Sequence, residues 1–210
     1  MSNLEARKRY EWVDVMRFLG IFAIYVGHFG NSAGKLYPFV FKYHVPLFFL
    51  VSGFFAVRSE SFSFLQSLKK RACNLLIPYF GFCIISIVVA ILSGNLGAKL
   101  TLTYLIEALL GIRNTLAFAP ALWFLPALFV VSVFYDAFYA LLKRFSGFII
   151  FMLIISIAMF VCTRTVFPAL EVTIPTWFFN IDSAMYYFIY YMIGAAIFPF
   201  ISKIKLYNIM

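Results

Sequence analysis

Six long apolar runs, separated by short stretches that hold most of the charge, follow one another along this chain. A helix that crosses the hydrocarbon core of a bilayer needs about 20 mostly apolar residues. Runs of that kind occupy about residues 12–30, 39–57, 74–93, 121–142, 146–162 and 180–201. Each is continuous, which excludes the alternating pattern of a membrane β-barrel. The pattern predicts an all-α protein, a polytopic transmembrane helical bundle of about six spans. A further apolar segment at 102–111 is shorter and is expected to lie at the interface or to cap the bundle. No loop is long enough to fold a separate soluble domain, and no internal repeat or low-complexity stretch interrupts the runs.

Composition strengthens this reading. Of 210 residues, 64% are hydrophobic and 12% are charged, against about 25% charged in an ordinary soluble domain. Twenty-eight Phe and thirteen Tyr suit lipid-facing helices with aromatic belts at the interfaces. The net charge of +9 does not point to nucleic acid, because the basic residues sit in short clusters between apolar runs. With the N-terminus inside, Arg7, Lys8, Arg9, Arg58, Lys69, Lys70, Arg71, Lys143, Arg144, Lys203 and Lys205 fall on the cytoplasmic side, and Lys35, Lys42, Lys99, Arg113 and Arg164 on or near the other. That excess orients the bundle by the positive-inside rule, with both termini cytoplasmic. The first run has no small-residue cleavage pattern and carries Asp14, Arg17 and His28, so it reads as a retained helix rather than a signal peptide. Cys73, Cys83 and Cys162 share no metal-like spacing and read as small apolar residues in or beside helices.

Ionisable residues inside apolar runs are the candidates for function, since a charge in hydrocarbon is costly. Asp14 and Arg17 are three residues apart and share one helix side. They are read either as an interfacial ion pair that anchors the helix or as part of a site. His28 follows Arg17 by eleven residues, about three turns and roughly 16 Å further along, so the two mark opposite ends of one helix. His44 precedes Pro46, which suits a first helical turn and puts His44 near the outer surface at the depth of His28. Two imidazoles there suit acceptance of a hydroxyl proton. No third metal ligand is obvious, and no metal site is assigned. Lys69, Lys70 and Arg71, in the loop before the third run, are read as topology and headgroup residues or as a site for a phosphorylated cytoplasmic ligand. Pro126 is expected to kink the fourth run or open a cavity there. Asp136 pairs with a base from another helix or meets lipid headgroups. Asn180 or Asp182 is expected to cap the last run. Trp123, Trp177 and Asp182 are the candidates for contact with a polar, ring-shaped substrate.

The segments WVDVMRFLGIFAIYVGHF, FKYHVPLFFLVSGFF, LKKRACNLLIPY, LWFLPALF and TWFFNIDSAMYYFIYYMIG together resemble the acyltransferase 3 family of membrane O-acyltransferases, especially its fucose 4-O-acetylase-like branch. The resemblance runs from about residue 9 to 198. It matches the family's arginine, ten residues and histidine in the first helix at Arg17 and His28, with Asp14 ahead of them. It matches the His-Met-Pro-Leu-Phe-Phe element at His44 to Phe49, with Val45 for methionine. Leu76 to Tyr79 and Trp123 to Leu125 match two further elements. Members usually have more spans, so the resemblance implies that residues 9–210 form the N-terminal portion of the family fold.

The resemblance implies transfer of an acyl group, most often acetyl, from acyl-CoA as co-substrate to a hydroxyl of a cell-surface glycan or its lipid-linked precursor. No cofactor would be bound. His28 would act on the hydroxyl proton, with His44 assisting. Arg17, oriented by Asp14, would meet the donor's phosphates, with Lys70 and Arg71. Membrane lipids and glycan-assembly proteins would be the partners, and a bacterial inner membrane the location. A glycan-precursor flippase, or a non-catalytic truncated membrane subunit, would use the same polar residues without chemistry. The six-span topology makes its own prediction: a reporter inserted at Lys143 reports the cytoplasm and one inserted at Glu171 reports the outside. The same side for both would overturn it.

Overall fold

The computed structural model describes residues 9–56, 58, 61–94, 97–112, 120–165 and 177–203. Arg7, Lys8, Arg113 and Lys205, used above to orient the chain, lie outside the described residues. Among those described there are seven α-helices: α1 (Glu11–His28), α2 (Leu36–Phe54), α3 (Phe64–Leu92), α4 (Ala98–Leu110), α5 (Phe124–Leu142), α6 (Phe148–Thr165) and α7 (Ile181–Ile201). Four of them, α3, α5, α6 and α7, are long and apolar enough to cross a membrane. The remaining two expected spans, α1 and α2, have 18 and 19 residues. Their polar content sets them apart: α1 carries Glu11, Asp14 and Arg17, and α2 carries Lys42 and His44. The expected short helix is α4, with 13 residues.

The centre of the bundle is α7, which packs against α2, α5 and α6. It is apolar on every side, as a helix enclosed by others must be. Ala184, Tyr187, Phe188, Tyr191, Met192 and Ala195 of α7 are buried against Phe49 of α2, Val131 and Tyr135 of α5 and Met152 of α6. Between α2 and α7 the backbones themselves touch. A methyl group placed on Gly53 would overlap the carbonyl oxygen of Tyr191, and one on Gly194 would overlap that of Leu50. Without side chains at these two positions the helices close on each other, which is the small-residue packing that substitutes for the hydrophobic effect in lipid.

The pairing of α1 with α2 is built from two glycine–phenylalanine contacts. A Cβ on Gly20 would lie 2.8 Å from the Phe48 ring, and one on Gly27 would lie 3.0 Å from the Phe41 ring. Seven residues separate the members of each set on both helices, so the two helices run antiparallel with position 20 level with 48 and 27 level with 41.

Pro46 does not begin a helix as its place in the sequence suggests. α2 starts at Leu36, and Pro46 lies inside it, where its missing N–H leaves the Lys42 carbonyl without its helical donor. His44 is therefore mid-helix rather than at the surface end. α3 starts at Phe64, so Lys69, Lys70 and Arg71 are on a helix and not in a loop. A wide π-type turn at Ala72–Leu76 follows them. The ring of Pro78 would press on the Asn74 carbonyl in a regular helix, and widening the turn that contains Asn74 relieves it. Pro126 falls in the first turn of α5, where the fixed backbone of proline is tolerated, so it does not mark a kink.

Substituting Gly194 by Val should destabilise the bundle by more than the ~1–3 kcal/mol of ordinary overpacking, because the obstacle is backbone. Gly81 of α3 has open space around its Cβ direction, and its replacement by Ala should leave stability unchanged or raise it by up to about 1 kcal/mol. Thermal unfolding of the two variants in detergent, side by side, checks this; equal melting of Gly194→Val and wild type would refute the close contact.

Candidate functional site

Two polar regions lie at opposite ends of the bundle, joined by α1 and α2. At one end, His28 and His44 line a single cavity of about 330 Å³ together with Trp123, Phe48 and Phe124. The helix register places position 28 level with position 40, so His44 is one turn deeper than His28, about 6 Å along the axis. The expected equal depth is thus replaced by a staggered pair facing one space. His44 Nδ1 is 2.7 Å from the Val40 carbonyl oxygen. A carbonyl only accepts, so Nδ1 carries the proton and, in the neutral ring, Nε2 carries the lone pair. Phe41 meets the His44 ring edge to face at 5.1 Å, which fixes its plane. His28, at the last residue of α1, is exposed.

Trp123 reaches this cavity through a tie that sequence reading missed. It ends the 3-10 turn Pro120–Trp123 ahead of α5. Asn180, fully buried, donates from Nδ2 to the Gly111 carbonyl at 2.6 Å and to the Trp123 carbonyl at 3.4 Å. One amide thus joins the end of α4, the turn before α5 and the start of α7. Phe179 and Asn180 both adopt left-handed backbone, with φ of 50° and 53°, a conformation that asparagine tolerates and a bulky residue resists. The expected capping role is replaced: Asn180 occupies the N-cap position of α7 but makes no side-chain cap bond. Asp182 is buried in the first turn, where Oδ1 accepts from the Ser183 N–H at 2.7 Å. Trp177 is 40% exposed ahead of that turn. Neither Trp177 nor Asp182 is among the residues lining the cavity of the histidines.

At the other end, Asp14 bridges two arginines. Arg9 Nε donates to its Oδ2 at 2.7 Å and Arg17 Nη1 to its Oδ1 at 3.4 Å. All three side chains are open to solvent, so these pairs orient more than they stabilise. The Arg17 guanidinium lies 5.2 Å from the centre of the Phe55 ring. Arg9, Asp14, Arg17 and Phe55 line a cavity of about 660 Å³. Phe55 also lines a second, smaller cavity with Arg71, Asn74, Ser52 and Tyr191. One aromatic ring therefore stands between the space of Arg17 and the space of Arg71. Lys70 is exposed on α3.

Asp136 is the buried ionic centre. It is 1% exposed and receives two guanidinium groups. Arg71 Nε donates to Oδ2 at 2.6 Å and Arg71 Nη2 to Oδ1 at 3.2 Å. Arg58 Nε donates to Oδ1 at 2.8 Å, and Ser67 Oγ to Oδ2 at 2.6 Å. The alternative of a headgroup contact for Asp136 is excluded by this burial. Two cations on one carboxylate leave one positive charge in excess. The ring of Tyr135, 5.2 Å from the Arg58 guanidinium, takes up part of it, and the Tyr191 hydroxyl is in hydrogen-bonding reach of Arg71 and Ser132. Arg58 was read only as a topology signal. The clue available in the sequence was that the fourth run contains one acidic residue, which in lipid requires a partner.

The model of the Acyl_transf_3 family, described as an acyltransferase domain, matches residues 10–209. The chain belongs to this family. No curated protein and no solved structure matches it. Family membership makes it a membrane acyltransferase at the level of the domain, and the matched range includes both polar ends of the bundle.

Removing the acid of the buried centre tests its role. Asp136→Ala strands two guanidinium groups and should cost about 3–5 kcal/mol. Asp136→Ala combined with Arg58→Met should recover part of that loss. Chemical unfolding of the single and double variants measures the difference, and a single variant as stable as wild type would show that the centre contributes nothing.

Proposed function

We propose that the protein is an O-acyltransferase of a bacterial cytoplasmic membrane. It would cross the membrane six times with both termini inside, and move an acyl group from acyl-CoA to a hydroxyl of a cell-surface glycan or its lipid-linked precursor. The observation that carries this reading is the shared cavity of His28 and His44. In it the Nδ1–H···O=C bond to Val40 and the edge of the Phe41 ring hold the His44 ring in one orientation beside His28. His28, exposed at the rim of that cavity, is the imidazole suited to take a hydroxyl proton.

In the reaction, the acceptor oxygen forms a bond to the thioester carbonyl carbon and the carbon–sulfur bond breaks. His28, exposed at the rim, takes the acceptor's proton and returns it to the departing thiolate. His44, its ring held by the Val40 bond and the Phe41 edge, positions the acceptor beside His28. Trp123 supplies an aromatic wall at the same opening, and the exposed Trp177 would meet the acceptor further out, whereas Asp182, buried in the first turn of α7, holds that turn and does not reach it. At the opposite end the excess positive charge around Asp136, with Arg17 and Arg9 across the Phe55 ring, suits the phosphates of the donor. Arg71 serves there through its place in the ionic centre, Asp14 by orienting Arg17, and the exposed Lys70 by charge alone. Lipids and glycan-assembly proteins remain the expected partners.

The test is transfer of label from radiolabelled acyl-CoA to a host glycan extract by membranes that contain the protein. Wild type should label the glycan. His28→Ala should lower the rate by about 10²–10⁴-fold, the usual contribution of a general base. His44→Ala should also lower it, and His44→Asn, which keeps a donor toward Val40, should not restore it. Normal membrane insertion with no label from wild type would favour a flippase or a non-catalytic subunit instead.

A further inference from the structure

The cavity beside the histidines is built mainly of hydrocarbon. Apart from the two imidazoles and the Trp123 indole, its walls are the rings of Phe41, Phe48 and Phe124 and the side chains of Ile24 and Val45. The two glycine–phenylalanine contacts of the α1–α2 pair set its length. The Phe41 ring rests on Gly27 at the His28 end, and the Phe48 ring rests on Gly20 at the other. Those glycines are seven residues apart, about 10 Å along α1. A side chain at Gly20 would push the Phe48 ring out of its seat, so the glycine and the ring together define a floor.

Two occupants are chemically open to such a slot, an acceptor sugar and the acyl chain of the donor. A sugar ring brings hydroxyls that need hydrogen-bond partners once out of water, and Phe, Ile and Val side chains offer none. An acyl chain needs only apolar contact. The size discriminates further. An acetyl methyl fills roughly the space of one water, about 30 Å³, and would leave most of a 330 Å³ slot without contact.

Resting on the acyltransferase reading, we infer that this slot binds the donor's acyl chain and that the preferred donor carries a chain of butyryl length or longer, not acetyl. The thioester carbonyl lies at the imidazoles, the chain lies along Val45 and Phe124 toward Phe48, and the arm that joins the thioester to the phosphates passes outside the slot, since the Phe48 ring closes that end. The acceptor hydroxyl arrives at the rim by His28 and Trp123. The reaction balances as above: one carbon–oxygen bond forms, one carbon–sulfur bond breaks, and the hydroxyl proton ends on the thiolate.

Membranes with the full chain are supplied with acetyl-, butyryl- or hexanoyl-CoA of equal label and the glycan extract. Each methylene buried in the slot should raise kcat/KM about fourfold, hence about fifteenfold for butyryl over acetyl. Val45→Phe, which fills the slot, should reverse that preference, and Phe48→Ala should extend it to longer chains. Wild type that prefers acetyl would overturn the slot while leaving the acyltransferase reading intact. Absence of transfer from every donor would overturn the acyltransferase reading, and binding then decides the slot. With Trp12→Phe and Trp177→Phe, Trp123 is the one tryptophan left among three. A brominated acyl-CoA should quench its fluorescence and acetyl-CoA should not. Equal quenching by both, or none by either, would overturn the slot without reference to catalysis.

Discussion

The backbone contact between α2 and α7 at Gly53 and Gly194 is the constraint on which the other features depend. Helices in lipid gain nothing from excluding water, so they associate where surfaces fit closely. Here the fit is close enough that each glycine faces a carbonyl oxygen of the other helix. α7 is thereby fixed against the helix that carries His44 and ends beside Phe55. Phe49 stacks on Tyr187 at 4.7 Å just above the contact, and Tyr187 in turn faces Trp123 at 6.1 Å. The wall of the histidine cavity is thus set from the same close approach.

Below that contact the chain relies on charge rather than shape. Asp136 is enclosed, and its two arginines come from different segments, one just after α2 and one on α3. A buried ion group of this kind is weak evidence of stability in itself, but it is demanding about position: moving any partner leaves a charge unpaired. Together the glycine contact and the ionic centre locate α2, α3, α5 and α7 with respect to each other. α1 is held differently, by two rings seated on two glycines, and its charged end stays open to solvent.

Much of the plan was legible in the apolar runs. Residues 121–142 and 180–201 were placed nearly to the residue, because long apolar segments have one cheap conformation in lipid. The first two apolar runs put His28 and His44 on consecutive helices, and α1 and α2 do pair antiparallel. Their stagger is not legible, because local sequence cannot tell a first-turn proline at position 46 from one inside a helix that neighbours support. The continuation of α3 back through the basic cluster is not legible either, because Lys69, Lys70 and Arg71 end the apolar run on that side while the helix itself goes on. The Asp136 centre and the Asn180 tie were out of reach for a different reason. Each joins residues more than fifty positions apart, and with no regular spacing between them only the folded arrangement reveals the partnership.

The ionic centre also has a direction in time. Arg58 and Arg71 precede Asp136 in the chain, so during synthesis both cations exist before the carboxylate that will neutralise them. Until α5 is inserted they must remain solvated, since an isolated guanidinium in hydrocarbon is strongly disfavoured. Arrival of α5 offers the first partner that lets this corner of the protein dehydrate. The same three residues that fix the finished structure therefore make its closure at Arg58 and Arg71 wait for α5.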